Sequence, residues 1–383
     1  MDKRMYIALV MAFLAAMAMG ISDGALGVAW PAIRLELGLP LEWATVLIIT
    51  SSVFYTVVSS QSGPMLRRTA PENITALGIL SIAIGFGGYV LAPNFIMLAV
   101  FTAFVGTGTG LIDTSVNYYM AKSFSARHMN WMHSFWGLGA SISPIVMTQM
   151  ILLFNWRAGY GGLAAFQLAA LVVIFISIAR KVWKVSGGEI ADEDSAAGFL
   201  TKRRHIFAQL FSFFLQSGIE GSIFFWITSI MQDSRGLSVA ASGVYATVYF
   251  AAIVAGRVAF GYLAKYLSNA QIIRIGLGLA IVSMGIMAFV SSPIAMFAAG
   301  FGLAPVFPCL MHETKGRFAP NALTKLVGYQ IAAAGAGVAV ISPAIGLLLS
   351  NISLEALFPA VIVLMALVTA ANEWLSRQAR ANP

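Results

Sequence analysis

Charge is what this sequence has least of. Only 10% of its 383 residues are Asp, Glu, Lys or Arg, against 59% that are hydrophobic. A soluble domain could not bury apolar side chains in that proportion, and its surface would normally be about a quarter charged. A mean hydropathy of +0.84 points the same way, to a chain whose solvent is largely lipid. Cysteine is nearly absent: Cys309 stands alone, which excludes an internal disulfide and any multi-cysteine metal site. Catalytic signatures are missing as well. There is no Walker loop, no H-E-x-x-H and no G-x-S-x-G elbow, so neither an enzyme nor a resident metal or cofactor is expected.

What is present is a series of apolar runs, each of roughly 20 residues and broken by short polar stretches. They predict helices near 5–30, 41–63, 72–91, 94–120, 130–153, 156–180, 205–231, 239–264, 270–290, 293–313, 321–349 and 353–375. The first run is too long for a signal-peptide core and has no small-residue cleavage site, so it reads as an uncleaved membrane helix. The basic residues are ordered around these runs. Lys3, Arg4, Arg67, Arg68, Lys122, Arg127, Arg180, Lys181, Lys184, Lys202, Arg203, Arg204, Lys265, Arg274, Lys315, Arg317, Lys325, Arg377 and Arg380 fall in the termini or in alternate connections. The opposite connections hold only Arg34, Arg157 and Arg235. The positive-inside rule then puts both termini in the cytoplasm. The net charge of +8 is a topological signal, and nucleic-acid binding is rejected.

The two halves echo each other. Gly63-Pro-Met-Leu-Arg-Arg68 resembles Gly261-Tyr-Leu-Ala-Lys265, and Ile142-Ser-Pro144 resembles Ile341-Ser-Pro343. Gly106-Thr-Gly-Thr-Gly110 loosely matches the run from Gly300 to Pro305. The members of each pair lie roughly 200 residues apart, the mark of a six-plus-six duplication. Residues 1–180 form one six-helix bundle in this reading, 205–383 the other, and the mixed-charge stretch 181–204 a solvated cytoplasmic linker.

Against this background the ionisable residues inside the spans stand out. Asp23, Asp113 and Glu220 are acids in hydrocarbon, where a charge costs roughly 2.5–3.5 kcal/mol on insertion scales. Asp113 and Asn117 share a helix face, and so do Gln216 and Glu220. No basic residue is expected beside these acids at mid-membrane, which suits reversible protonation and argues for a neutral or cationic solute. Na+ is the alternative coupling ion, since a carboxylate takes either. Asp113 is the expected proton carrier, with Asp23 facing the solute or titrating second and Glu220 a third titrating candidate. Gln216 and Glu220 offer donors and acceptors to hydroxyls or an amine, or else lock two helices together. His133 reads as an interfacial residue or a ligand. Trp136, one turn on, and Trp226 offer ring platforms for a pyranose or a cation, with packing as the plainer role. Gln330 is expected to turn a polar group into the cavity, and Gln149 and Gln167 are weaker candidates. His312 and Glu313, beside Lys315 and Arg317, read as an interfacial charge cluster.

The helix count, the charged turns and the central loop resemble the major facilitator superfamily over essentially the whole chain. Gly256-Arg257-Val-Ala-Phe-Gly261-Tyr-Leu-Ala264 looks like the second copy of its charged-turn motif, and Gly63 to Arg68 like a first copy lacking the usual aspartate. The resemblance implies gating roles for Arg257, Gly261, Arg67 and Arg68, and places helices one and four on the cavity. Three segments resemble the fucose-permease-type branch of proton-coupled sugar transporters: Ser22-Asp23 before Pro31, Asp113-Thr-Ser-Val-Asn117, and Asn130-Trp-Met-His133-Ser-Phe-Trp136-Gly-Leu-Gly-Ala140. His133 and Trp136 replace the amides expected there. The expectation is an all-α membrane protein of twelve helices, a monomer in a bacterial inner membrane. It would move a small neutral polar solute, a sugar or sugar derivative, with protons by alternating access. A proton-driven exporter of cationic drugs is the rival.

Overall fold

In hydrocarbon every backbone N–H and C=O has to be satisfied within the chain, so apolar segments of this length become helices. The computed structural model describes residues 3–124, 126–183, 202–318 and 320–381, and among them there is no strand. The first half holds α1 (Lys3–Leu37), α2 (Ala44–Ser60), the short α3 (Ser62–Arg68), α4 (Pro71–Leu91), α5 (Phe95–Ser123), α6 (Ala126–Leu153) and α7 (Trp156–Ala179). The second holds α8 (Arg203–Asp233), α9 (Val239–Leu263), α10 (Asn269–Met287), α11 (Pro293–Leu303), α12 (Val306–Arg317), α13 (Pro320–Asn351) and α14 (Leu357–Ala381). Twelve spans among the described residues are long and apolar enough to cross a membrane, the tenth running through the break between α11 and α12. Side chains such as Leu91, Ile96, Phe289 and Ile294 are largely exposed, as lipid-facing positions should be.

Local chemistry sets the ends. Asn94, Asn155, Ser268 and Ser292 each accept a hydrogen bond from a backbone N–H of the helix they open. Pro71 and Pro293 occupy first-turn positions, where a missing N–H costs nothing. After α1 and α8 the chain turns through Gly38 and Gly236, both with φ of +64°, a conformation only glycine adopts freely.

Three boundaries differ from expectation. The first helix continues through Pro31 to Leu37, because Glu36 is held at its far end by Trp156 Nε1 at 2.6 Å and by Arg157. The second span stops at Ser60 and a separate turn of helix, α3, carries Arg67 and Arg68. The stretch after α7 does not become solvated at residue 181: Val182 and Trp183 are buried, and Trp183 Nε1 donates to Ser177 Oγ at 2.9 Å. Residues 184–201, the bulk of the expected linker, lie outside the described residues.

Helix contacts divide the chain into two compact units, Met1–Ala191 with Ser238–Thr247, and Asp192–Leu237 with Val248–Pro383. Each repeats one plan. In the first, α1 packs on α6 and α7, and α4 on α5 and α7; in the second, α8 packs on α13 and α14, and α10 on α11 and α14. The tightest seams are built from glycine at matching places. Gly139 of α6 lies against the Met17 carbonyl of α1, and Gly337 of α13 against the Phe214 carbonyl of α8. Gly78 faces Gly108 as Gly276 faces Gly302. Small residues let helices approach closely where lipid offers no hydrophobic drive for association. The ends match too, with the charges exchanged. Arg157 binds Glu36 and the Ala92 carbonyl; Arg235 binds Glu355 at 2.7 Å and the Met287 carbonyl at 2.6 Å.

A Cβ at Gly139 or Gly337 would collide with the facing backbone oxygen, whereas one at Gly278 meets nothing within 4 Å. Gly139→Ala and Gly337→Ala should therefore each destabilise their bundle by about 1–3 kcal/mol or more, and Gly278→Ala should be near neutral. Thermal unfolding in detergent reads this directly. Equal midpoints for all three variants would contradict the close seams.

Candidate functional site

The first unit gathers five polar side chains from four helices. Gly106 and Gly110 of α5 lie one turn apart and face α2, against the Ser51 and Tyr55 carbonyls; Gly108 faces α4 instead. The glycine run thus clears two faces rather than one. The approach of α2 lets Tyr55 donate its hydroxyl to Asp113 Oδ2 at 2.6 Å. The other oxygen, Oδ1, accepts from Asn117 Nδ2 at 2.7 Å, one turn along the same helix. On α1, Asp23 Oδ2 accepts from Trp136 Nε1 of α6 at 2.8 Å, across the seam where Gly20 abuts the Trp136 carbonyl. The two acids act on each other, and both act on Tyr55. They form one electrostatic unit. His133 is half-buried on α6, one turn from Trp136.

Tyr55 was not among the residues singled out from the sequence. The signal was there: Ser51, Tyr55 and Ser59 recur every four residues on one face of α2, and Gly110 packs near Tyr55 O and Ser59 Oγ. Trp136 keeps its ring, but its indole N–H is committed to Asp23, which fixes how the ring is turned.

The second unit places Glu220 near the middle of α8, where Oε1 accepts from Gln216 Nε2 at 2.9 Å. Gln216 is fully buried, and its Oε1 has no hydrogen-bond partner among the described residues. Tyr249 of α9 directs its hydroxyl toward the Glu220 carbonyl at 3.5 Å. Arg257, two turns further along the same face of α9, interacts electrostatically with both Glu220 and Tyr249. The expectation that no base accompanies the buried acids therefore fails. Arg257 is half-buried on α9. Gly261 is exposed with open space around it, and Arg67 and Arg68 are exposed at the end of α3.

Several other candidates are engaged elsewhere. Trp226 is fully buried and donates Nε1 to the Ser342 carbonyl at 2.9 Å, which makes it a pin between α8 and α13, with no face open to a solute. Gln330 is also fully buried and donates to Thr314 Oγ1 at 2.9 Å. Gln167 donates to the Ala18 carbonyl at 2.7 Å, while Gln149 is exposed. The expected interfacial cluster near His312 is different again: Arg317 is only 2% exposed. It pairs with Glu313 at 3.0 Å and donates to Asn372, Ser376 and Gln209, tying α8, α12 and α14 together. Burial of that kind needs partners for every charge, and these residues supply them. Among the described residues no three His, Cys, Asp or Glu side chains gather as a metal site.

Comparison with known proteins bears on the whole chain. The Glucose/mannose transporter GlcP of Bacillus subtilis (strain 168) is 24% identical over 297 residues, covering 74% of this chain and 73% of its own. The "Probable L-galactonate transporter" of Escherichia coli (strain K12) is 21% identical over 281 residues, 68% of this chain and 61% of its own. Among solved structures, a bacterial homolog of the human lysosomal transporter Spinster, inward-facing and occupied, superposes with a TM-score of 0.78 at 11% identity and covers 98% of each chain. The transporter FucP in its outward conformation gives 0.66 at 12% identity, over 97% of this chain and 99% of its own. The model of the Major Facilitator Superfamily matches residues 12–314. Twelve membrane-length helices arranged as two like bundles, sharing that family's sequence pattern over most of their length, make this chain a member of the Major Facilitator Superfamily: a multi-pass membrane transporter, and not an enzyme.

Proposed function

We propose that the protein moves a small polar solute, a sugar or sugar derivative, together with protons by alternating access. The observation that carries this reading is the first unit's cluster, in which two interacting carboxylates, on α1 and α5, are held by Tyr55, Asn117 and Trp136 from α2, α5 and α6. Carboxylates solvated by donors in this way can be kept charged or neutral at modest cost, which a bare acid in lipid cannot. Asp113, with both oxygens occupied, is the proton carrier. Asp23 and the Trp136 ring face the solute, and a tryptophan face beside a hydrogen-bonding acid suits a pyranose. The names of the relatives, one for glucose and mannose and one for L-galactonate, support a sugar-like solute.

The remaining assignments follow. Residues 1–180 and 205–383 are the two bundles, joined by 181–204 and working as a monomer. The basic connections and both termini face the cytoplasm of a bacterial cell whose inner membrane holds the protein. Arg67, Arg68 and Gly261 lie in the turns that gate this side.

In proteoliposomes with a pH dye inside, adding the right member of a panel of hexoses and hexose acids should acidify the lumen, and Asp113→Asn should abolish the response. If no panel member moves protons and a lipophilic cation alkalinises acid-loaded vesicles instead, a drug antiporter replaces the sugar reading. Tyr55→Phe tests the cluster more finely. It removes one hydrogen bond to a charged group, worth about 1.5–3 kcal/mol, so solute-driven proton flux should fall roughly ten- to a hundredfold while the unfolding midpoint changes little. An unchanged flux in Tyr55→Phe would remove Asp113 as the coupling group.

A further inference from the structure

The second unit carries a polar cavity that solute transport leaves unused. It measures about 290 Å³, and its walls include Ser268, Ala270, Glu313, Gly316, Arg317 and Ser376. One water needs about 10–15 Å³, so there is room for a polyatomic group. The walls are the ends of three spans. Ser268 immediately precedes Asn269–Met287, Arg317 follows Pro293–Thr314, and Ser376 lies in the last turn of Leu354–Ala379. The cavity therefore lies where hydrocarbon gives way to water, the depth of phospholipid headgroups.

The groups around it are short of acceptors. Arg317 is all but fully buried, and its charge meets Glu313 at 3.0 Å. Its terminal nitrogens donate to Gln209, Asn372 and Ser376, but its Nε has no acceptor among the described residues. Because a guanidinium only donates, its 2.7 Å bond to Asn372 fixes which way that amide points. Asn372 Nδ2 is turned away from it, buried and likewise without an acceptor. The first turn of α10 adds two more donors. Ser268 Oγ serves the N–H of Gln271 and Ser268 O that of Ile272, which leaves the N–H groups of Asn269 and Ala270 without an acceptor inside the helix. Amide oxygens without a partner also occur in the packing, at Gln167, Gln216 and Gln330. Packing tolerates an unserved oxygen more readily than an unserved N–H, and here two unserved N–H groups belong to one network beside a cavity.

We propose that this cavity binds a phosphate group. Donors reach it from α10, α12 and α14, three directions that suit a tetrahedral oxyanion better than a planar carboxylate. A helix N-terminus and a guanidinium are both ready partners for phosphate. At this depth the group arrives either on a phospholipid or as a soluble phosphate from the adjoining water. Two acids lie near. Glu313 is the partner of Arg317 and competes with the phosphate for it, whereas Glu373 is held by Arg274 at 2.5 Å. The site is independent of which solute the protein moves.

The test uses the full-length protein, delipidated in detergent. Native mass spectrometry and thermal unfolding measure its binding of dioctanoyl phosphatidylglycerol, of dioctanoylglycerol, which has the same chains and no phosphate, and of glycerol 3-phosphate and inorganic phosphate. One phosphatidylglycerol per chain should be held roughly tenfold or more tighter than dioctanoylglycerol. Gly316→Leu is the main variant. A Cβ at Gly316 meets nothing within 4 Å, so the new side chain fills the cavity without disturbing the packing. Its unfolding midpoint without ligand should match wild type, while phosphatidylglycerol binding falls roughly tenfold or more. Arg317→Gln should also weaken binding, and Glu313→Gln should strengthen it by removing the competitor. Opposite signs for the two members of one ion pair separate a ligand site from a structural pair, which either change would only weaken. Should Arg317→Gln unfold, Gly316→Leu and Glu313→Gln still decide. If the two free phosphates bind, and lose binding in Gly316→Leu, while phosphatidylglycerol binds no better than dioctanoylglycerol, the site stands with a soluble ligand. The inference is overturned if no phosphate compound binds better than dioctanoylglycerol, if Gly316→Leu binds as wild type does, or if Glu313→Gln loses binding.

Discussion

The close approach of helix backbones at glycine is the constraint from which the polar architecture follows. Hydrocarbon leaves an ionisable side chain two options, to lose its charge or to be solvated by other helices. Solvation by a neighbour requires that neighbour to be near. Gly110 brings the backbone of Tyr55 against α5, and only then does the phenol reach Asp113. Gly20 brings α6 against α1 at Trp136, whose indole then reaches Asp23. The glycines carry no chemistry of their own, yet each donor reaches its acid because one stands beside it.

The same logic runs through the second unit with different residues. Gly218 and Gly337 close α8 on α13, and Trp226 and Ser222 pin that seam through Ser342. The acid of this unit, Glu220, sits on the bundle's first helix as Asp23 does in the other, but its company is an arginine rather than a second acid. The two units share a packing scaffold and differ in the polar groups it carries. The corner pairs show this most plainly. Glu36 with Arg157 and Arg235 with Glu355 occupy matching places with their charges exchanged. Both arginines belong to the sparsely basic connections and both are paired, so the side expected to face outward carries little net positive charge from them.

Much of this was legible before any coordinates. The spans, their number and the repeat depend on local quantities, the length of an apolar run and the placing of Pro, Gly and caps, which a linear reading captures. Asp23, Asp113 and Glu220 were visible because charge inside such a run is rare. Even the Asp113–Asn117 and Gln216–Glu220 bonds were accessible, since each joins residues one turn apart on a single helix. The apolar run closes near residue 30, but the helix continues to Leu37, where Trp156 and Arg157 hold Glu36.

What only tertiary structure decided is who meets whom across helices. Trp226 and Gln330 looked like solute ligands and prove to be bonded within the packing, because the angular setting of each helix turns those faces inward. Arg317 looked interfacial and is buried among four partners. Tyr55 passed unnoticed, and Arg257 was read as part of a turn although it accompanies Glu220. The physical reason is the same in each case. Helical periodicity is a property of neighbouring residues and is written in the chain, whereas the rotation of one helix against another is set by where small side chains permit contact, and that depends on both helices at once.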